Sequence, residues 1–143
     1  MDIKEQVLRL TRRHGTWDPF ELAEKMNILV VLEPLGSING YYNQCYRQKF
    51  IHINESLEPQ RQRFTCAHEL GHAVLHPKAN TPFLRENTLF CISRLEIEAN
   101  RFAAELLCPD ELLQEYPGYS LSQIARSLGL REEVLACKQL GEG

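Results

Sequence analysis

Two histidines and a glutamate near the middle of the chain have the spacing of a metal site. His68, Glu69 and His72 form the pattern H-E-x-x-H within the segment HELGH. Residues four apart on a helix lie on the same face, so both imidazoles can bind one divalent ion, and Zn²⁺ suits such nitrogen ligands. Glu69 lies about 100° further round the helix, where its carboxylate can take a proton from an attacking water. The pattern predicts metal-assisted hydrolysis, with Glu69 as the catalytic base.

The flanking sequence predicts that this motif lies on a buried helix from Pro59 to His76. Apolar residues cover most of the helix circumference, and the polar residues share a sector of about 100°. Buried polar groups without partners are unfavourable by several kcal/mol, so a metal ion is a better interpretation than hydrogen-bonded core histidines. The polar sector comprises Thr65, His68, Glu69, His72 and His76.

A catalytic zinc ion takes a third protein ligand and keeps one position for water. His76 is two turns beyond His68, about 12 Å along the helix axis, so one ion cannot be held by both and by His72. We therefore expect His76 to support the site or the helix end. A further helix, predicted over residues 93–107, carries Glu96 on the flank of its apolar face and Glu98 on the opposite side. This placement favours Glu96 as the third ligand.

The same helix supports two further expectations. Asn100, one turn after Glu96, can hydrogen-bond the outer nitrogen of a metal-bound imidazole. Gly71 is unfavourable inside a helix, so it indicates close approach of another backbone. The natural neighbour is the small-residue face of the predicted helix, which includes Ala99 and Ala103. Glu105 is expected to lie on the solvated side, together with Glu98 and Arg101.

The remaining elements form a mixed pattern of helices and strands. The run Ile28–Leu32 predicts a buried strand, and residues 41–54 predict a hairpin. Its segment 50–53 offers an edge on which an extended peptide can align. Residues 78–92 have no clear period and are interpreted as a loop or lid. Helices are predicted over residues 3–13, 19–26 and 110–116, and over 120–140 with a break near Gly129.

Composition limits the functional classes. The 143 residues carry a net charge of -3, which argues against binding nucleic acid through phosphate charge. No apolar run is long enough to span a membrane, and the N-terminus lacks the apolar core of a secretory signal. The five cysteines contain no C-x-x-C pair, so a disulfide framework is not expected. These features predict one cytoplasmic domain, with no indication of its oligomeric state.

Two segments resemble the ImmA/IrrE family of metallopeptidases. They are RFTCAHELGHAVLH at residues 63–76 and EIEANRFAAELLCP at residues 96–109, and the likeness extends from about residue 20 to 115. The glutamate that the family carries four residues before its asparagine maps onto Glu96. Cys108 stands where the family usually has methionine, a change between two soft apolar side chains.

The resemblance implies an α+β fold of the zincin or gluzincin kind. A small, twisted, mostly antiparallel sheet would pack on helices, with the H-E-x-x-H helix buried. A metallopeptidase domain would occupy residues 1–116, and a helical, helix-turn-helix-like segment would occupy 117–143 and pack on the same domain. The implied activity is zinc-dependent cleavage of a transcriptional repressor, with Mn²⁺ or Fe²⁺ also chemically admissible.

Two questions stay open at the level of sequence. Donors for the oxyanion can come from tyrosine or histidine side chains, and Tyr41, Tyr42, His52 and His76 cannot be ranked. The competing function is a DNA-binding or regulatory module with a non-catalytic metal site, because residues 121–134 resemble a helix-turn-helix. Basic residues only slightly outnumber acidic residues in and next to that segment, so packing on the catalytic domain is the favoured interpretation.

Overall fold

The computed structural model describes residues 2–79 and 89–140 as helices around a small sheet, an α+β arrangement. Within these ranges no helix combines the length and the apolar character needed to cross a membrane. The elements are α1 (Ile3–His14), α2 (Pro19–Lys25), β1 (Ile28–Glu33), β2 (Gly40–Cys45), β3 (Gln48–Asn54), α3 (Pro59–Leu75), α4 (Leu89–Leu107), α5 (Asp110–Leu113), α6 (Leu121–Leu128) and α7 (Glu132–Leu140).

Local sequence signals account for most of the helix ends. Asp18 caps α2 by accepting a hydrogen bond from the Phe20 amide at 3.0 Å, and Pro19 occupies the first helical position. Gly129 ends α6 in the left-handed conformation, with φ at 71°. The predicted start of α4 at residue 93 is wrong, because α4 begins at Leu89. No proline or glycine interrupts the chain between Pro82 and Leu107. Of the predicted loop or lid, residues 80–88 lie outside the described residues.

The sheet is mixed, and this corrects the expectation of a mostly antiparallel one. Its strand order is β1-β3-β2, with β1 parallel to β3 and β2 antiparallel to β3. The predicted hairpin is confirmed, since β2 and β3 are joined by Tyr46 and Arg47, both at positive φ. The connection from β1 to β2 passes the position that β3 later fills, so β3 is the central strand.

This strand order corrects two further expectations. The segment 50–53 has no free edge, because β3 pairs with a strand on each side; the edges of the sheet are β1 and β2. β1 is also less buried than predicted, with Leu29 at 52% and Leu32 at 51% exposure. An edge strand that packs helices on one face leaves its other side chains in water.

Helices α3 and α4 pack closely through Gly71. A Cβ built at Gly71 would lie 3.0 Å from the Phe102 Cβ and 3.2 Å from the Ala99 Cα, which is tighter than ordinary contact. The expected close approach of the small-residue helix is therefore confirmed. The residues around it, including Ala67, Leu70 and Phe102, are fully buried in the main core. This packing brings the polar flank of α4 next to the motif on α3.

Helix α7 covers the far side of α4. Glu105, expected on the solvated side, is only 4% exposed, and Lys138 of α7 is 1% exposed. The Lys138 Nζ lies 2.5 Å from both Glu105 Oε1 and Asp110 Oδ1. Burial raises the pKa of Glu105, although the Lys138 ammonium opposes that shift. The expectation for Glu105 was wrong because α4 packs on two of its faces, and helical periodicity cannot indicate the second neighbour.

Replacement of Lys138 by methionine is expected to destabilise the fold by about 3–5 kcal/mol at neutral pH, since it leaves the Glu105 carboxylate buried without its counter-charge. Urea denaturation would measure this loss. The double variant Lys138→Met with Glu105→Leu should recover most of it, because no buried charge then remains. Equal losses in the single and double variants would contradict a role for this ion pair.

Candidate metal centre

Glu96 of α4 reaches both imidazoles of the H-E-x-x-H motif on α3. The His68 Nε2 lies 2.8 Å from Glu96 Oε2, and the His72 Nε2 lies 3.1 Å from Glu96 Oε1. One donor atom from each of the three residues lies within 4.8 Å of the other two. Both imidazoles are buried, and the Glu96 side chain is 29% exposed. Two helices thus assemble a compact set of two nitrogen donors and one carboxylate.

Asn100 determines which nitrogen of His68 carries a proton. Its Oδ1 lies 2.8 Å from the His68 Nδ1. An amide oxygen only accepts, so Nδ1 donates, and a neutral imidazole then presents the lone pair of Nε2. That lone pair points at the carboxylate of Glu96. The bond to Asn100 therefore prepares Nε2 to bind a cation.

A second chain of hydrogen bonds acts on His72. The His76 Nε2 lies 2.7 Å from Glu98 Oε1, and the His76 Nδ1 lies 3.0 Å from the His72 Nδ1. Because the Glu98 carboxylate accepts from His76 Nε2, the neutral His76 accepts at Nδ1, and His72 must donate from its own Nδ1. Burial lowers the pKa of His76 and favours this neutral form, although the bond to Glu98 opposes the shift. His72 is therefore also left with its Nε2 lone pair facing Glu96.

The three donors are mutually repulsive unless a cation lies among them. Burial by itself would raise the pKa of Glu96, but in the metal-free site hydrogen bonds and positive charge from protonated His68 and His72 hold that pKa well below its ordinary value. Glu96 is therefore an anion at neutral pH. Two imidazole nitrogens and an ionised carboxylate form the ligand set of catalytic zinc sites, so the residues fit a divalent metal ion.

A cleft of about 330 Å³ opens onto two of these donors, His68 and Glu96. Glu69, which is 1% exposed, contributes to its wall beside His68 and Glu96. The lining also includes the segment 37–40, which ends at the first residue of β2, and Arg131 in the turn between α6 and α7. A substrate in this cleft can reach the donors and the Glu69 carboxylate together.

The residues considered as oxyanion donors have other partners. The buried Tyr42 donates its hydroxyl to the Pro77 carbonyl at 2.6 Å. His52 lies between Glu33 and Asn43, and its ring stacks on Tyr41 with the centroids 4.2 Å apart. As far as the described residues define the cleft, Tyr41, Tyr42, His52 and His76 do not line it.

Arg131 is a charged cleft residue that sequence reasoning missed. It lies far along the chain from the motif, in a segment interpreted as peripheral packing. The one available signal was the helix-ending Gly129 two residues before it, which indicates a tight turn but not its neighbours. Only the packing of the C-terminal helices brings Arg131 to the cleft.

Comparison with known proteins identifies the family. Residues 23–138 match the family model of the IrrE N-terminal-like domain, Peptidase M78. Over 129 residues the chain is 36% identical to the metallopeptidase ImmA of Bacillus subtilis, covering 86% of this chain and 75% of ImmA. The chain belongs to the ImmA/IrrE family of metallopeptidases. The family resemblance drawn from residues 63–76 and 96–109 is therefore confirmed.

Two further relatives and one solved structure are also similar to this chain. The immunity region protein 2 of Bacillus phage phi105 is 44% identical over 143 residues, covering 98% of this chain and 90% of that protein. The radiation response metalloprotease IrrE of Deinococcus deserti is 31% identical, over 69% of this chain and 38% of IrrE. A transcriptional regulator of Mycobacterium tuberculosis has the same fold, with a TM-score of 0.62 at 18% identity. The alignment covers 95% of this chain and 45% of the regulator.

Membership of the ImmA/IrrE family and the geometry of the site agree on a metal ion. The family is one of metallopeptidases, and the described residues contain a His-His-Glu cluster capable of holding an ion. The cluster also lies in an open cleft rather than in a sealed core. These observations indicate a metalloprotease.

Proposed function

We propose that this chain is a zinc-dependent endopeptidase with His68, His72 and Glu96 as its metal ligands. The observation that carries the proposal is the convergence of the His68 Nε2, the His72 Nε2 and the Glu96 carboxylate, while a second hydrogen bond occupies the Nδ1 of each imidazole. Zn²⁺ is the preferred ion for two imidazoles and one carboxylate, and Mn²⁺ or Fe²⁺ also suits these ligands.

In the proposed mechanism Glu69 transfers a proton from the attacking water to the leaving amine. When bound, the divalent ion supplies Lewis acidity that lowers the pKa of a water and polarises the scissile carbonyl. The carboxylate of Glu69 accepts the proton of the attacking water and returns it to the leaving amine. Because Glu69 is buried in the cleft wall, its carboxylate is held close to the place where the peptide is attacked.

Asn100 and His76 would act on the ligands rather than on the substrate. Asn100 orients His68 through the bond to Nδ1, and His76 orients His72 while Glu98 orients His76. Outer partners of this kind set the tautomer and the ring orientation of a metal-bound histidine. We include both residues in the proposed site as positioning residues.

The helical segment 117–143 belongs to the same functional unit in this proposal, alongside a peptidase domain at 1–116. Two contacts support this arrangement. Lys138 of α7 makes a buried ion pair with Glu105 of α4, the helix that carries Glu96. Arg131, directly before α7, lines the cleft. Removal of the segment would therefore disturb both the helix and the cleft.

The proposed substrate is a transcriptional repressor with a helix-turn-helix domain. Support comes from the relatives, whose names describe a phage immunity region protein and a radiation response metalloprotease. Cleavage of a repressor gives an irreversible signal, which suits responses of the kind that these names describe.

Co-expression of the chain with the repressor encoded beside its gene tests the proposed function. The expected result is two repressor fragments whose masses sum to that of the intact repressor plus one water, formed only with metal present. The matched control replaces Glu69 by glutamine and should leave the repressor intact. An intact repressor with the unaltered, metal-loaded chain would contradict the proposed substrate.

A further inference from the structure

Beyond the metal donors, the cleft continues into a second compartment. The compartment over the donors and the adjoining one, of about 310 Å³, share four lining residues. A polypeptide that reaches the donors can therefore extend along one continuous groove. The shared residues are Asn39, Phe64, Thr65 and Arg131.

The two compartments differ in charge. The compartment over the donors contains the carboxylates of Glu69 and Glu96. In the adjoining compartment the charged lining residues, among those the structure describes, are Arg61 and Arg131, and both are exposed. That half of the groove, named here the arginine arm, presents two guanidinium groups and no carboxylate from its described lining. It is complementary to an anion.

The backbone that carries Arg131 lies close to the first turn of α3. Gly129 has a φ of 71°, and a Cβ there would collide with the side chain of Gln60 in the first turn of α3. The Leu130 amide donates to the Ala125 carbonyl at 2.9 Å, and the Leu130 side chain packs on the main core. Arg131 therefore follows a residue that packs on the core. Its own side chain is exposed, lines the groove and is accessible to a ligand.

We propose that the arginine arm binds the substrate on one side of the scissile bond and selects an aspartate or glutamate side chain there. This inference rests on the proposed peptidase function. A guanidinium binds a carboxylate through two parallel hydrogen bonds, which fix the orientation of the carboxylate and strengthen its binding. Arg131 makes the main contact because it lies between the two compartments, and Arg61 adds positive charge further out.

A peptide carboxylate fits the arginine arm better than a nucleic acid does. Phosphate recognition along a strand uses many cations, whereas this arm has two. The acidic residues Glu132 and Glu133 directly follow Arg131, and the chain has a net charge of -3. A single carboxylate in an extended peptide needs only the contact that one or two arginines provide.

Cleavage of a proteome-derived peptide library by the zinc-loaded chain, with products identified by mass spectrometry, tests this inference. We expect Asp and Glu to be enriched at one or two positions on the same side of the cleaved bond. Synthetic peptides that differ only by Glu or Gln at that position should differ about tenfold in kcat/KM, mainly through KM, as expected for a charge-assisted bond.

Charge reversal provides the decisive variant. Arg131→Glu should abolish the preference for acidic residues and favour Lys or Arg at the same position, whereas Arg131→Lys should keep a weaker acidic preference. Arg126→Glu is the matched control, because Arg126 is an exposed arginine of α6 outside the residues that line the groove. This control should cleave with the original preference.

The possible outcomes separate this inference from the proposed function. Cleavage with equal rates for the Glu and Gln peptides would overturn the arginine arm and leave the peptidase assignment intact. No cleavage of any peptide would overturn both. The inference would also be overturned if the chain shifted random duplex DNA in a salt-sensitive way and Arg131→Glu abolished that shift. The arginine arm would then bind nucleic acid.

Discussion

Glu69→Gln is expected to reduce peptide cleavage by about 10²–10⁴-fold while leaving metal binding unchanged. The amide has nearly the shape of the carboxylate, so the 1% exposed position stays filled. It cannot accept the proton of the attacking water, so only general base catalysis is lost. The metal ligands His68, His72 and Glu96 are untouched. Fragment formation measured with the identified substrate, together with metal content from elemental analysis, checks both parts of the prediction.

The control for this change is Glu58→Gln. Glu58 precedes the first turn of α3, is exposed, and makes no capping hydrogen bond through its side chain. It undergoes the same chemical change next to the same helix, and it should leave cleavage unaffected. Full activity of Glu69→Gln would remove Glu69 from the mechanism.

Glu96→Ala is expected to lower zinc affinity by more than about 100-fold. Loss of an outer partner of a metal ligand typically weakens binding by about 10–100-fold, and loss of a ligand should exceed that range. Glu96 is the acidic member of the donor cluster and faces both imidazoles, at 2.8 and 3.1 Å. Competition with a chelating dye measures the affinity, and peptide cleavage should disappear in the same variant.

Glu98→Ala is the matched control for the third ligand. Glu98 lies two residues from Glu96 on the same helix and accepts the hydrogen bond of His76, so its removal acts on the metal only through His76 and His72. We expect a loss of no more than about tenfold, smaller than that of an outer partner in direct contact with a ligand. A larger loss for Glu98→Ala than for Glu96→Ala would show that the wrong glutamate has been assigned.

Local sequence was sufficient to predict the residues that come together at the centre. Helical periodicity places His68 and His72 on one face of α3 and Glu96 on the half-buried flank of α4, and the structure brings these three within 4.8 Å. Gly71 indicated the close helix contact because a helix tolerates glycine poorly unless another backbone needs the space. Each of these inferences depends on geometry within one or two turns of helix.

Tertiary structure alone decided the order of the strands and the composition of the cleft. A strand such as β1 has the same sequence pattern whether it pairs in parallel or antiparallel, so the mixed sheet and the central position of β3 were not predictable. Glu105 looks solvated on its own helix and is buried only because α7 packs over it. Arg131 reaches the cleft through contacts between segments far apart in the chain. Hydrophobic periodicity indicates which side chains of one helix or strand face the core and which face water. The identity of the neighbouring elements depends on how the whole chain packs.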